Sequence, residues 1–435
     1  MHSATIDKDV AKIRIGGSRV ALILAALILG FYVLVGAVFA INSHGRLGPN
    51  GAPLFYDFSA FYQASSFADS GRASMAYDDS AMVAAEQVAF PGATLRLPWN
   101  YPPTFQLLLM PLGALPYVMA WLVWSGALYG LYALLARGMV VAGQRWLMLL
   151  APGAAVNLLV GQNGLLSTVL MGGGVMLLRS RPLVGGALLG LMTYKPHFAV
   201  LIPLALLCGR EWRALSAAIA SGAGLALLAV AVLGVDPWFA FVHKAIEPSA
   251  IFSSSSSDWR SIPSVMIMAR TMGAGAGLSS VLHWSFAAAA ALGALWVWRK
   301  TGDARLRVAA LATATLIVTP YLRVYDLALL ILPIAALLPR DDSGTSLVDL
   351  PVVYAAWLAP AVLLFARPEI QVGPVVTVAL MGLILLRVAR TSQPAASFPQ
   401  RAPIPGPPRT ADTVGRRVPG RAMGGASSAG AVRPG

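Results

Sequence analysis

Apolar stretches recur along the whole chain, at about residues 20–41, 104–136, 146–160, 164–178, 183–194, 196–209, 214–234, 278–298, 305–320, 324–338, 350–365 and 371–388. Several reach the length of roughly 20 residues with which a helix crosses a bilayer. In hydrocarbon every backbone N–H and C=O must be satisfied within the protein, so such a chain folds as a bundle of helices. The charge content agrees: 11% of residues are charged, against about a quarter in soluble domains. The expected fold is all-α and integral to the membrane, a polytopic bundle of about twelve transmembrane helices.

The formal charge of +14 does not point to nucleic acid. The basic residues sit at the ends of apolar stretches and in the tail, where they set topology and meet lipid headgroups. With residues 1–19 in the cytoplasm, the inner side before the tail collects 17 Lys and Arg, the outer side nine. That bias puts both termini inside and faces the long polar stretch 42–103, the second polar stretch 236–263 and the turn at Lys195 outward. The stretch 20–41 is too long for the apolar core of a signal peptide, so it is expected to remain as a span. The single cysteine, Cys208, can form no internal disulfide. The part 391–435 is rich in Pro, Gly, Ala and Ser with six arginines, and is expected to be a disordered cytoplasmic tail after a membrane domain spanning 20–390.

The stretch 42–103 is the one long polar interruption, and loops of this length carry function or disorder. Phe58, Phe61 and Tyr62 recur at helical spacing, with Phe67 and Ala68 continuing the face. That pattern predicts an amphipathic helix at the interface, ended by Gly71. Asp57 stands at its N-cap. Aspartate there caps the helix, and a capping carboxylate still serves as a base. Tyr101-Pro102-Pro103, after Trp99-Asn100, reads as an aromatic anchor followed by a proline pair that starts a helix.

Three later breaks carry polar residues to the same outer side. Gly161-Gln162-Asn163-Gly164 offers amides to a sugar, or is a plain turn between spans. Tyr194-Lys195-Pro196-His197 joins two short apolar stretches. Lys195 either snorkels to the headgroups or lines a cavity where lipid phosphate is its natural partner, and His197 stands beside it. Arg323 and Asp326, flanking Tyr325, are spaced to pair with each other, and ionisable residues at the start of a span suggest function. Arg260 in the second polar stretch is a further candidate. No metal-ligand spacing, phosphate loop or dinucleotide fingerprint occurs in the sequence, so no metal or cofactor is expected.

In their order these residues resemble glycosyltransferase family 87, of the GT-C superfamily of membrane enzymes. The resemblance rests on Tyr56-Asp57-Phe58 with Phe61-Tyr62, Gly71 with Tyr77-Asp78, Tyr101-Pro102-Pro103 with the following Leu107–Leu112 stretch, Gly161-Gln162-Asn163, Lys195-Pro196-His197, and Thr319-Pro320-Tyr321 with Tyr325-Asp326. It covers residues 20–390. It implies a GT-C-type bundle with a helical first outer loop. It also implies inverting transfer of one sugar, mannose or an arabinofuranose, from a polyprenyl-phosphate donor to a glycolipid or polysaccharide of the envelope. The reaction would take place at the outer face of the inner (cytoplasmic) membrane. The family's first-loop aspartate is its catalytic base, which falls here on Asp57. On that mechanism Lys195, Arg323 and His197 receive the donor phosphate. Tyr101, Gln162, Asn163, Tyr325, Asp326 and Arg260 contact substrate. The chain departs from the family pattern at Arg323-Val324-Tyr325, where tryptophan is frequent. A lipid or solute transporter, a scaffold protein and an O-antigen ligase or polymerase are the rival readings. A transporter predicts charges near mid-span and internal symmetry, neither of which the sequence displays.

Overall fold

A computed structural model describes residues 12–13, 19–44, 46–94, 97–246, 262–339, 345–346, 349–365 and 371–391. They fall within one compact unit that ends at Ser392. The expected tail beyond Thr391, most of residues 1–18 and the part of the second polar stretch that holds Arg260 lie outside the described residues.

The regular structure of the described residues is helical, with a two-residue antiparallel ladder between β1 (Lys12–Ile13) and β2 (Thr345–Ser346) and isolated bridges that pair Leu47 with His44 and Pro53. In order, the helices are α1 (Arg19–Ile41), α2 (Asp57–Asp69), α3 (Asp79–Ala89), α4 (Pro103–Leu109), α5 (Tyr117–Met139), α6 (Arg145–Leu149), α7 (Pro152–Val160), α8 (Gly164–Leu177), α9 (Pro182–Gly190), α10 (Pro196–Ala199), α11 (Leu201–Cys208), α12 (Trp212–Leu233), α13 (Asp236–Ile246), α14 (Val265–Thr271), α15 (Ala276–Lys300), α16 (Ala304–Val318), α17 (Ile331–Leu337), α18 (Leu350–Phe365) and α19 (Val372–Thr391). Among the described residues, α1, α5, α12, α15 and α19 are long and apolar enough to cross a membrane. Five shorter apolar helical stretches accompany them, at 164–177, 182–194, 196–208, 324–337 and 350–365.

Prolines set most of the interruptions, because each lacks a backbone donor and disfavours helix at the residue before it. The apolar stretch 104–136 divides into α4, a 3-10 turn at Met110–Ala114 carrying Pro111, and α5, which starts just after Pro116. The stretch 146–160 divides at Ala151-Pro152 into α6 and α7. The pair α9 and α10–α11 meets at Lys195-Pro196 as expected. Part of the second polar stretch is a helix rather than a loop, since α13 occupies its first eleven residues.

The long helices expose apolar side chains; α1 buries none of its most apolar window inside the protein. The shorter ones lie deeper. Almost every residue of α16 and of 326–337 is buried. A helix that is apolar all round belongs inside a bundle. Backbone breaks at membrane depth are tolerated only where protein or a water-filled cavity satisfies them, which is why the broken helices are the enclosed ones.

α2 corrects one expectation. It is not a one-sided interfacial helix: ten of its 13 residues are buried, including Phe58, Phe61 and Phe67. It packs against α4, the 110–114 turn and the segment Ala73–Tyr77. Trp99 is likewise fully buried, edge-on to Phe61 and stacked on Phe105, rather than anchored in headgroups. The helical periodicity was real, but a second set of elements covers the face that the pattern left polar.

α16 defines the two ends of the bundle. At its start, Arg305 donates to the carbonyls of Ala335 and, at 2.8 Å, of Leu338 at the end of α17. At its far end the chain turns through Thr319–Arg323, and there the polar breaks gather.

Candidate functional site

A cavity of about 400 Å³ opens at that end. It is walled by the start of α2, the segment 97–102, the end of α7 with Gln162, the turn 195–197, Ile262, the segment 321–326 and Leu364. Of the residues singled out from sequence, Asp57, Tyr101, Gln162, Lys195, His197, Arg323, Tyr325 and Asp326 all line it. Asn163 stands behind the wall, fully buried, and Arg260 lies outside the described residues.

Asp57 is the first residue inside α2. Tyr56 holds the N-cap position and supplies no side-chain cap, so the expected capping role of Asp57 gives way to a place in the first turn. The helix dipole at that first turn favours negative charge. The carboxylate is buried at the cavity wall. Its position is fixed by a close approach of backbones. Gly161 ends α7 in the left-handed region, φ +72°, and a Cβ there would lie 2.5 Å from Cβ of Phe58. No other residue type lets the Gln162 turn sit this close to the start of α2.

Lys195 is 2% exposed. A snorkelling lysine keeps its ammonium in water, so that reading is excluded. The ammonium donates to Oδ1 of Asp326 and, at 3.1 Å, to Oδ1 of Asn163, and it lies 4.5 Å from the centre of the Phe198 ring. Asp326, also 2% exposed, accepts the Arg323 backbone N–H on its other oxygen at 3.1 Å. The expected contact between Arg323 and Asp326 is present through the Arg323 backbone amide, and Asp326 has a further partner. The ion pair joins Asp326 to Lys195, 131 residues away in sequence, and Arg323 contributes its backbone amide. Desolvating two charges is unfavourable unless they meet each other and further hydrogen bonds support them, which here come from Asn163 on the ammonium and from the Arg323 amide on the carboxylate.

Tyr101 donates its hydroxyl to Oε1 of Gln162 at 3.3 Å, and the same oxygen accepts the Asn163 N–H at 3.1 Å. Burial, with the Asp326 carboxylate adding to it, pushes the Tyr101 phenol well above its ordinary pKa, so it stays a donor. Around Tyr101 the rings of Phe61, Trp99 and Phe105 form a packed aromatic wall. His197 packs edge-on against Phe198 at 5.0 Å.

Sequence reasoning missed Asn157, Tyr194 and Ser167. Tyr194 and Ser167 share a 2.5 Å hydroxyl contact, and Tyr194 also donates to the Asn163 carbonyl at 3.2 Å. Asn157 is buried in α7. Its Nδ2 donates to the carbonyls of Gly153 and Tyr325, both at 2.8 Å, and its Oδ1 accepts the Leu165 N–H at 3.3 Å. One carboxamide thus ties α7 and α8, on either side of the Gln162 turn, to the Tyr325–Asp326 segment. Its signal was a lone amide in an apolar stretch, five residues before Gln162. Asn157→Ala orphans buried backbone groups and is expected to lower stability by about 1–3 kcal/mol. Thermal unfolding of the purified variant checks this; an unchanged midpoint contradicts it.

Among the described residues no three His, Cys, Asp or Glu side chains gather where they could hold a metal ion.

Apolar helices wrapped around broken inner ones, with charged and polar groups collected in a cavity at their common end, define an integral membrane protein with a polar site. A family model, glycosyltransferase family 87, matches residues 99–320, about half of the chain, and the chain belongs to that family. It is therefore a membrane glycosyltransferase. No curated protein and no solved structure matches it. Tyr101, Gln162, Asn163, Lys195 and His197 lie within the matched region. Asp57 precedes it, and Arg323, Tyr325 and Asp326 follow it.

Proposed function

We propose that the protein moves one sugar from a polyprenyl-phosphate donor to a hydroxyl of an envelope glycolipid or polysaccharide, with inversion, at the outer face of the cytoplasmic membrane. The observation that carries this reading is the placement of Asp57 on the same cavity as Lys195, Arg323 and His197. A displacement at an anomeric carbon needs a base for the incoming hydroxyl and fixed positive groups for the departing phosphate.

In the reaction the acceptor oxygen attacks the anomeric carbon and its proton passes to the Asp57 carboxylate. The new C–O bond forms as the bond from that carbon to the phosphate oxygen breaks, and the electron pair leaves with polyprenyl phosphate. Lys195 and Arg323 meet the charge that develops there, with His197 beside them. Asp326 and Asn163 take two of the three ammonium protons of Lys195 and so aim the third. Tyr101, Gln162 and Tyr325 hold the sugar. No nucleotide, metal or other cofactor enters this scheme. The donor's single phosphate suits a cavity with few cations.

A cavity facing outward is supported by where the basic residues fall. Lys195, Arg323 and the loops carrying Asp57 fall at the cavity end, whereas Arg305, Arg307 and Arg387 belong to the other. Arginine and lysine mark the cytoplasmic side.

The test is transfer by purified enzyme from a panel of radiolabelled polyprenyl-phosphate sugars and nucleotide sugars. Label is expected to move only from the lipid-linked monophosphates. Transfer from a nucleotide sugar alone would sink the proposal.

A further inference from the structure

α13 is amphipathic in a way that the glycosyl-transfer site does not use. Val235 just before it, and Phe239, Val242 and Ile246 within it, recur at i, i+4, i+7 and i+11, so they form one stripe, and they are between 49% and 76% exposed. A second edge carries the exposed Asp236 and His243, seven residues apart. The remaining side faces protein: Pro237 is buried, Phe241 meets the Tyr77 ring at 6.2 Å, and Lys244 donates to Asp79 and, at 3.3 Å, to the Tyr77 carbonyl.

Its setting says what covers the apolar stripe. α12, which is apolar enough to span and largely exposed, is separated from α13 by two residues. Gly234, φ +84°, turns the chain between them in a conformation that other residues adopt at a cost. Eleven residues of helix extend about 16 Å, roughly half of the ~30 Å hydrocarbon core, so α13 is too short to cross. A short helix leaving a span, with an apolar arc, a polar edge and one side held by protein, matches a helix lying in the plane of a membrane surface.

We infer that α13 lies in the headgroup–acyl boundary of the membrane that α12 spans, with Val235, Phe239, Val242 and Ile246 in lipid and the Asp236–His243 edge in water. Its third side grips the Tyr77 segment, and the Tyr77 hydroxyl donates to the carbonyl of Tyr101 at 2.9 Å. The lipid surface therefore supports the aromatic wall of the cavity from outside.

The full chain in proteoliposomes tests this. Cys208→Ser removes the one native thiol, and a spin label is placed at Phe239→Cys, Val242→Cys or Asp236→Cys in separate variants. Oxygen, which partitions into lipid, and a water-soluble nickel chelate serve as relaxing agents. The expected result is a ratio of oxygen to nickel accessibility several-fold higher at 239 and 242 than at 236. Equal, nickel-rich accessibility at all three positions overturns the inference, because the stripe would then face water. Labels at 239 and 242 shielded from both agents also overturn it, because protein would then cover the stripe. Neither readout depends on sugar transfer, so this inference and the proposed reaction stand or fall separately.

Discussion

Asp57→Asn is expected to lower sugar transfer by about 10²–10⁴-fold, the usual worth of a positioned general base. Asparagine keeps the shape of the side chain but cannot take the acceptor's proton. The structural consequence is small by comparison. Asp57 is the first helical residue of α2 and Tyr56 is the cap, so the exchange removes a negative charge from the first turn. Such a charge is worth about 0.3–1 kcal/mol. The expected signature is a large fall in turnover with almost the same thermal midpoint. A structural role alone would give the reverse, a lowered midpoint with normal turnover in the folded fraction.

The second large effect concerns the Lys195–Asp326 pair. Asp326→Ala leaves an ammonium 2% exposed with Asn163 as its remaining hydrogen-bond acceptor among the described residues. Removing one partner of a buried pair costs about 3–5 kcal/mol, because the other charge stays desolvated. Lys195→Ala leaves the Asp326 carboxylate with the Arg323 amide and is expected to fall in the same range. Removing both charges removes the desolvation problem as well. The double variant Lys195→Met with Asp326→Leu is therefore expected to recover most of the lost stability while transfer stays abolished. Thermal unfolding and transfer assays on the three variants check this. A double variant as unstable as either single one means that the two sites do not couple. A double variant with wild-type turnover means that Lys195 has no part in the reaction.

The breaks that build the cavity were legible in the sequence because proline, glycine and charge punctuate apolar stretches. Gly161 and the Thr319-Pro320 pair end α7 and α16 where the breaks were expected, and Pro196 starts α10 at the expected junction. Their meeting was foreseen only through their common side. Which residue answers Lys195 was not legible. Asp326 lies 131 residues on, and its nearer neighbour Arg323 offered a local pairing that helical spacing made attractive. Spacing tells which residues share a face, not what covers the other faces. The same limit explains α2, whose polar Ser59 and Gln63 are buried along with its aromatic residues. Ser59 donates to the buried carboxylate of Glu86 at 3.2 Å. It also explains α13, where a stretch with serine and charge beyond it masked an eleven-residue amphipathic helix. Asn157 was hidden for another reason. A lone amide in an apolar stretch has no partner that sequence can name, and its three partners come from three segments.

The central claim is a direct displacement at the anomeric carbon, with Asp57 as the base and a lipid phosphate as the leaving group. The configuration of the product's new glycosidic bond, determined by NMR after transfer from a polyprenyl-phosphate sugar of known anomeric form, tests it most directly. The account predicts inversion for the wild-type enzyme and about 10²–10⁴-fold less of that product from Asp57→Asn. Retained configuration, or undiminished product from Asp57→Asn, would contradict it.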